Sequence, residues 1–257
     1  MDLGLQGRTA LVLASTGGLG AATARAIGAE GANVVVTGRN EARAKEIAAE
    51  LPSAIGVGCD LTEPGAAERI VAATKETYGD PDVVVLNGPG PKPGKASEID
   101  PAAMQAAVDV LLAPQIAVVS QTLGAMRAAG WGRILAIGSS GVQQPIPTLG
   151  SSNLGRAALG SYLKTLSIEV APDGVTVNML LPGRVATART AALDEAAAER
   201  SGTTVEQAQA AALTKIPAGR YGDVTEFGAV AAFLCSGWAS YVTGSQIRCD
   251  GGLVAHL

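Results

Sequence analysis

The chain has 257 residues, of which 47% are hydrophobic and 16% charged, so one large domain with a sizeable buried core is expected. A net charge of −4 without any basic block argues against nucleic acid as a partner. No uninterrupted apolar run approaches the ~20 residues of a membrane helix, and Met1-Asp2 opens the chain without a basic leader, so neither a span nor a signal peptide is expected.

Residues 11–14 form a short apolar run that predicts the first strand. Ser15-Thr16-Gly17-Gly18-Leu19-Gly20 follows as a turn, 21–30 as a helix stopped by Gly31, and Val34-Val35-Val36 as a buried parallel strand. A glycine turn between strand and helix lets backbone N–H groups approach a phosphate at the positive end of the helix, and within a complete strand–helix–strand unit it points to a dinucleotide. The place that would carry an acid for the ribose 2′-hydroxyl holds Thr37-Gly38-Arg39-Asn40. An arginine there suits a 2′-phosphate, so NADP(H) is favoured over NAD(H).

A helix over 41–51 shows an apolar face at Ala44, Ile47, Ala48 and Leu51 and is stopped by Pro52. A strand over 55–58 ends in Cys59-Asp60-Leu61, a helix over 65–78 is broken by Gly79-Asp80-Pro81, and a strand over 83–86 ends at Asn87. The loop 89–95 carries Lys92 and Lys95, two candidate substrate contacts. Residues 101–129 read as one long helix, started by Asp100-Pro101 and kinked at Pro114. A strand over 133–137 leads into Gly138-Ser139-Ser140-Gly141, a helix lies within 148–170, and a strand over 175–181 ends at Pro182-Gly183. Residues 184–217 form an alanine-rich, helical insertion, expected to act as a lid over a partly apolar ligand. A helix over 225–235 and a strand over 246–250 complete the chain.

Cys59, Cys235 and Cys249 are scattered and lack metal-ligand spacing, as expected of reduced thiols in a cytoplasmic protein. The single histidine, His256, stands next to the chain end, which argues against a core metal site or a serine–histidine triad and leaves it at most a remote candidate acid or base. Strands alternating with helices predict a single α/β domain over 1–257, with a doubly wound parallel sheet of Rossmann type. All strand C-termini then meet on one edge, where the 15–20 turn, Asp60, Asn87, Ser139 and Pro182-Gly183 converge on a crevice for a small-molecule ligand.

These motifs resemble the short-chain dehydrogenase/reductase family, most closely its 3-oxoacyl-carrier-protein-reductase-like members, over nearly the whole chain. The matching residues are Gly18-x-Gly20, Gly38-Arg39, Cys59-Asp60-Leu61, Asn87, Gly138-Ser139, Val177-Asn178, Pro182-Gly183 with Thr187, and Tyr241-Val242-Thr243-Gly244 through Asp250-Gly251-Gly252. The resemblance implies about seven strands, a homodimer or homotetramer, and a nicotinamide cofactor. Its implied cofactor contacts are Ser15, Thr16, Gly18, Leu19, Gly20, Arg39, Asp60, Leu61, Asn87, Pro182, Gly183, Val185 and Thr187, with Asp60 at the adenine and Val185 and Thr187 beside the nicotinamide.

The chain departs from the family pattern where chemistry is done. Leu13-Ala14 replaces the Thr-Gly that opens the family's turn, so the Ala14 methyl is expected to crowd it unless Gly17 supplies the freedom. Leu111 occupies the place of a helix asparagine that holds a catalytic water. The family's Tyr-x-x-x-Lys pair falls on Ser152-Asn153-Leu154-Gly155-Arg156. A tyrosine beside a lysine can be tuned toward working pH, whereas a serine hydroxyl gives up its proton far less readily and an arginine is effectively never deprotonated. Ser139, Ser152 and Arg156 remain as the candidate catalytic residues. Three readings follow: an atypical NADP(H)-dependent oxidoreductase on a carbonyl or alcohol; a lyase, isomerase or hydrolase on the same fold, using Ser139, Gln143, Gln144, Ser152 and an arginine suited to a carboxylate or phosphate; or an inactive dinucleotide-binding protein.

Overall fold

The valine-rich runs pair as seven parallel strands: β1 (Thr9–Val12), β2 (Asn33–Gly38), β3 (Ala54–Gly58), β4 (Val83–Leu86), β5 (Gly132–Ile137), β6 (Val175–Pro182) and β7 (Gln246–Cys249). The computed structural model describes residues 2–256, so Met1, on which the expectation about a signal peptide partly rests, and Leu257 lie outside the described residues. The strand order is β3-β2-β1-β4-β5-β6-β7. β1 is an interior strand beside the central β4, with Leu11 in register with Val35 on one side and Val84 on the other. The order reverses between β1 and β4, and that reversal opens the crevice beyond their C-terminal ends.

Nine helices are assigned among the described residues: α1 (Gly18–Ala29), α2 (Glu41–Ala49), α3 (Ala66–Tyr78), α4 (Pro101–Leu111), α5 (Ala113–Ala129), α6 (Gly150–Val170), α7 (Ala188–Ser201), α8 (Val205–Leu213) and α9 (Val224–Leu234). One face of the sheet buries Val12, Val34 and Val36 with Ile27 of α1, Ile47 of α2 and Phe227 of α9. The other buries Leu11, Val35 and Val84 with Ile70 of α3, Met126 of α5 and Leu163 of α6. Strands covered on both faces read as continuous apolar runs, and each fully buried side chain of this size is worth about 1.5–3 kcal/mol. α1 and α9 cross closely because Gly228 has no side chain; a Cβ there would lie 2.7 Å from the Ala22 carbonyl oxygen.

Three expectations need correcting. The first strand is Thr9–Val12 rather than 11–14, because Ala14 turns the chain at φ 46°. The 101–129 stretch is two helices, broken at Leu112 (φ −120°, ψ −59°), one residue before the second helix opens with Pro114 in its first turn. A proline there has no N–H to give the preceding turn and clashes with it. The same stretch also contains an 18-residue window of mean hydropathy 1.6, long and apolar enough by composition to cross a bilayer, although no single uninterrupted run suggests it. In the fold α4 packs on α6, and α5 packs on α3.

Candidate active site

The glycine turn is held by hydrogen bonds from β1 and β2. Ser15 Oγ donates to the Val12 carbonyl at 2.7 Å and accepts from the Thr37 N–H at 3.0 Å. Ser15 is fully buried, so it straps the turn together and does not line the crevice, contrary to the expected cofactor contact. Ala14 adopts the left-handed φ of 46°, a conformation that costs a non-glycine residue about 1–2 kcal/mol. Gly17 does not relieve it: its φ is −177°, ordinary extended backbone, and the second left-handed residue is Gly18 at 54°. Ala14 is fixed instead by its neighbours, its N–H donating to Thr37 Oγ1 at 3.1 Å and its carbonyl accepting from Asn87 Nδ2 at 3.0 Å.

Gly20 is also buried, behind the turn. A Cβ there would meet the Ala14 carbonyl oxygen at 2.6 Å and Asn87 Nδ2 at 2.7 Å. Gly20 thus acts by letting β4 and the turn touch, not by facing a ligand. α1 begins at Gly18 with Gly17 as its N-cap, and no side chain caps its first turn. The helix start is therefore open to an anion.

Beside the turn runs a groove of about 270 Å³ lined by Thr16, Gly38, Arg39, Asp60, Leu61 and Asn87, among others. Gly38 makes room for Thr16, since a Cβ there would lie 2.4 Å from the Thr16 methyl. Asp60 accepts from the Thr62 N–H at 2.9 Å and the Thr62 hydroxyl at 2.7 Å. Those bonds, with a smaller contribution from the Arg39 charge, hold its carboxyl below the usual range. Arg39 forms no salt bridge with it, so the guanidinium keeps its donors for a ligand.

Gly17, Asn87, Gly88 and Pro89 belong both to this groove and to a second cavity of about 650 Å³, so the two are continuous. The cavity brings together Gly18, Leu19, Ser139, Ser152, Arg156, Pro182, Gly183, Val185 and Thr187. The Thr187 methyl arches over Gly18, while its hydroxyl accepts from the Thr190 N–H at 3.2 Å and so caps α7. Gly183 permits β6 to pass the β7 end; a Cβ there would lie 2.6 Å from Asp250 Cα. An open helix start, a cationic arginine at the adenosine end and glycines where a Cβ would intrude together fit a dinucleotide phosphate.

Ser139 Oγ accepts from the Gly141 N–H at 3.1 Å, which leaves its own hydrogen free to donate. Ser152 and Arg156 are four residues apart on α6 and share a face. Ser152 is buried at the cavity wall. One Arg156 N–H donates to the Ile137 carbonyl at 2.8 Å. Burial, and then the Arg189 charge, pull its pKa down to about 10, so it remains a cation at neutral pH. Leu111 packs into the space left by Gly155, where a Cβ would lie 2.8 Å from its methyl. Hydrocarbon thus fills the place where the family pattern has an asparagine.

Other sequence candidates lie elsewhere. Lys92 and Lys95 do not line the cavity, and Lys95 pairs with Glu98. Gln143 binds Arg248 and Gln246, and Gln144 accepts from the Ala255 N–H. His256 is exposed and offers its backbone carbonyl to Arg248 at 2.7 Å. Sequence reading missed the arginines of the lid. Arg184 pairs with the buried Asp194, which also accepts from the Tyr221 hydroxyl at 2.9 Å and so anchors α7. Burial and that Asp194 bond push the Tyr221 phenol up. Arg189 reaches across the mouth to the Pro91 carbonyl at 3.2 Å, over Gly90, and Arg200 lines the far wall. The i, i+4, i+8, i+11 spacing of Arg189, Leu193, Ala197 and Arg200 is the sequence signal that places them on one helix face within the alanine-rich background.

Residues 13–254 match the family described as enoyl-(acyl carrier protein) reductase. The chain is 31% identical to dehydrogenase/reductase SDR family member 4 of Bos taurus, covering 98% of this chain and 89% of that protein. It is 29% identical to the 3-oxoacyl-(acyl-carrier-protein) reductase FabG of Salmonella typhimurium, covering 98% and 99%. Among solved structures, the L-sorbose reductase of Gluconobacter frateurii, complexed with NADPH and L-sorbose, is 27% identical with a TM-score of 0.93 over the whole of both chains. YwfH, an NADPH-dependent reductase of bacilysin biosynthesis, is 29% identical with a TM-score of 0.91, covering 97% and 99%. With its strand order, its glycine turn and these matches over nearly its full length, the chain belongs to the short-chain dehydrogenase/reductase family of NAD(P)-dependent oxidoreductases.

Proposed function

We propose that this protein is an NADP(H)-dependent oxidoreductase of a small carbonyl or alcohol substrate, working without the tyrosine–lysine pair. The observation that carries this reading is the continuity of the Arg39 groove with the cavity of Ser139, Ser152 and Arg156 through Gly17, Asn87, Gly88 and Pro89. Arg39 with Thr16 would hold the 2′-phosphate, the α1 N-terminus the pyrophosphate, and Val185 with Thr187 the nicotinamide side. When bound, the cofactor supplies or accepts the hydride.

The remaining work falls to the chain. Ser139 donates a hydrogen bond to the substrate oxygen, its hydroxyl already oriented by the Gly141 N–H. Arg156 offers fixed positive charge to the negative charge that develops there, and the Ser152 hydroxyl passes a proton from solvent at the cavity mouth. Losing a tuned general acid costs about 10²–10⁴-fold, whereas positioning contributes about 7–11 kcal/mol, so a slower reductase remains a working one. The same reading takes the protein as a cytoplasmic homotetramer. Its free cysteines and the large apolar side chains exposed at Ile168, Trp238 and Tyr241 support that, and sedimentation tests the assembly.

The test is titration with NADPH and NADH, followed by turnover with a carbonyl panel. Tighter NADPH binding and steady NADPH oxidation are expected. Bound cofactor with no oxidation by any carbonyl overturns the redox step, and product formed at constant nicotinamide redox state assigns a lyase or isomerase instead.

A further inference from the structure

The cavity wall is charged in one sense. Its lining includes Arg156, Arg184, Arg189 and Arg200 and, among the described residues, no aspartate or glutamate. Asp194 neutralises Arg184 from behind. Arg156, Arg189 and Arg200 form no salt bridge among the described residues, and the bonds the first two make are to the carbonyls of Ile137 and Pro91. The rest of the wall is largely apolar, with Leu19, Ile137, Ile146, Leu149, Val185 and Leu193. Arg156 is partly buried, whereas Arg189 and Arg200 are exposed at the rim, so their donors are open to an anion that enters the cavity.

The two ends of α7 differ. Arg189 and Arg200 are eleven residues apart, about 16 Å along a helix, with Leu193 and Ala197 between them on the cavity face. Arg189 lines the same cavity as Arg156, and its charge is the one that bears on Arg156. These two arginines come from opposite walls, one on the lid and one on α6. The cofactor phosphates have other partners in the reading above, at Arg39 and at the α1 N-terminus. An anionic group that belongs to the substrate is left for the Arg156–Arg189 pair.

We propose that the substrate is a 2-oxo acid or 2-hydroxy acid whose carboxylate, next to the reacting carbon, is gripped by Arg189 of the lid and faces Arg156. Its apolar remainder lies along Leu193 and Ala197. In the reducing direction the carbonyl carbon gains hydride from NADPH, the C=O π bond breaks, and the oxygen takes a proton from solvent, giving 2-hydroxy acid and NADP⁺. The two guanidinium groups offset the carboxylate charge and the charge developing on the adjacent oxygen, which lessens the demand on a proton donor. The redox step rests on the oxidoreductase reading; the anion grip does not.

The experiment uses the full chain with NADPH and compares 2-oxobutanoate and 2-oxohexanoate with their methyl esters. The acids are expected to exceed the esters in kcat/KM by about 100-fold, the size of discrimination lost when a charged partner goes unpaired. Arg189→Met is expected to abolish that preference while leaving NADPH affinity within about twofold, and Arg189→Lys to restore part of it. Equal rates for acid and ester overturn the proposal, as does an Arg189→Met effect confined to NADPH affinity. Should no carbonyl turn over, calorimetry of the NADPH-loaded protein with each acid and its amide decides separately. Tighter acid binding that Arg189→Met removes upholds the grip while the redox reading falls; equal binding overturns the grip.

Discussion

At one end of the crevice, where the proposed function puts the adenosine, Thr16, Arg39 and Asp60 line a single groove. At the other end stand Ser152, Arg156 and Leu111, each a replacement for the residue that the pattern calls for. Both ends hang on the same strand edge, and only one has been rebuilt. The first end works largely through backbone: an open helix start, a glycine-rich turn and glycines at close contacts. The catalytic end works through side-chain functional groups, so a few substitutions on one helix change its chemistry without disturbing the fold.

Mutations can break or sharpen that contrast. The largest effect is expected from Gly20→Val, which drives a Cβ toward a carbonyl oxygen now 2.6 Å from that point. It should cost about 3 kcal/mol or more and abolish dinucleotide binding, read by thermal unfolding and by NADPH titration. Arg39→Ala should weaken NADPH by about 10–100-fold, or ~1.4–2.8 kcal/mol, and leave NADH unchanged. If both weaken equally, Arg39 does not read the 2′-phosphate.

Arg156→Met tests the rebuilt end. It should lower turnover yet stabilise the free protein by about 1–2 kcal/mol, because a poorly compensated buried cation is replaced by hydrocarbon. The sign follows from its pKa, pulled down to about 10 in the fold from the ordinary arginine value. A depressed cation pKa penalises the fold while the group is charged, and the penalty shrinks as pH rises past about 10. The stability gap between variant and wild type should therefore narrow at alkaline pH, and a gap that widens there refutes the account. The smallest effect is Ala14→Gly. Removing a left-handed alanine should gain about 1 kcal/mol, a rise of roughly 2–4 °C in Tm.

The fold was legible because its signals are local. Val34-Val35-Val36, Val83–Leu86 and the punctuating glycines and prolines mark strands and stops without reference to anything distant. Ser15 misled because a hydroxyl in a glycine turn looks the same whether it faces a phosphate or straps β1 to β2. The break at Leu112 was misplaced for a similar reason: Pro114 announces a disturbance, and packing decides which residue absorbs it.

Sequence by itself determined the parallel sheet, the crevice edge and the loss of tyrosine and lysine, because each depends on residue type at a fixed spacing along the chain. Only the tertiary structure decided that Leu111 fills the space above Gly155, that Asp194 is spent on Arg184, and that Arg156 and Arg189 line one cavity with no carboxylate in its wall. Those facts join residues 44 positions apart on α4 and α6, 33 apart on α6 and α7, and 10 apart between α7 and the loop before it. The charge balance of a cavity is a sum over elements that meet only in the folded chain, and no pattern along the sequence records it.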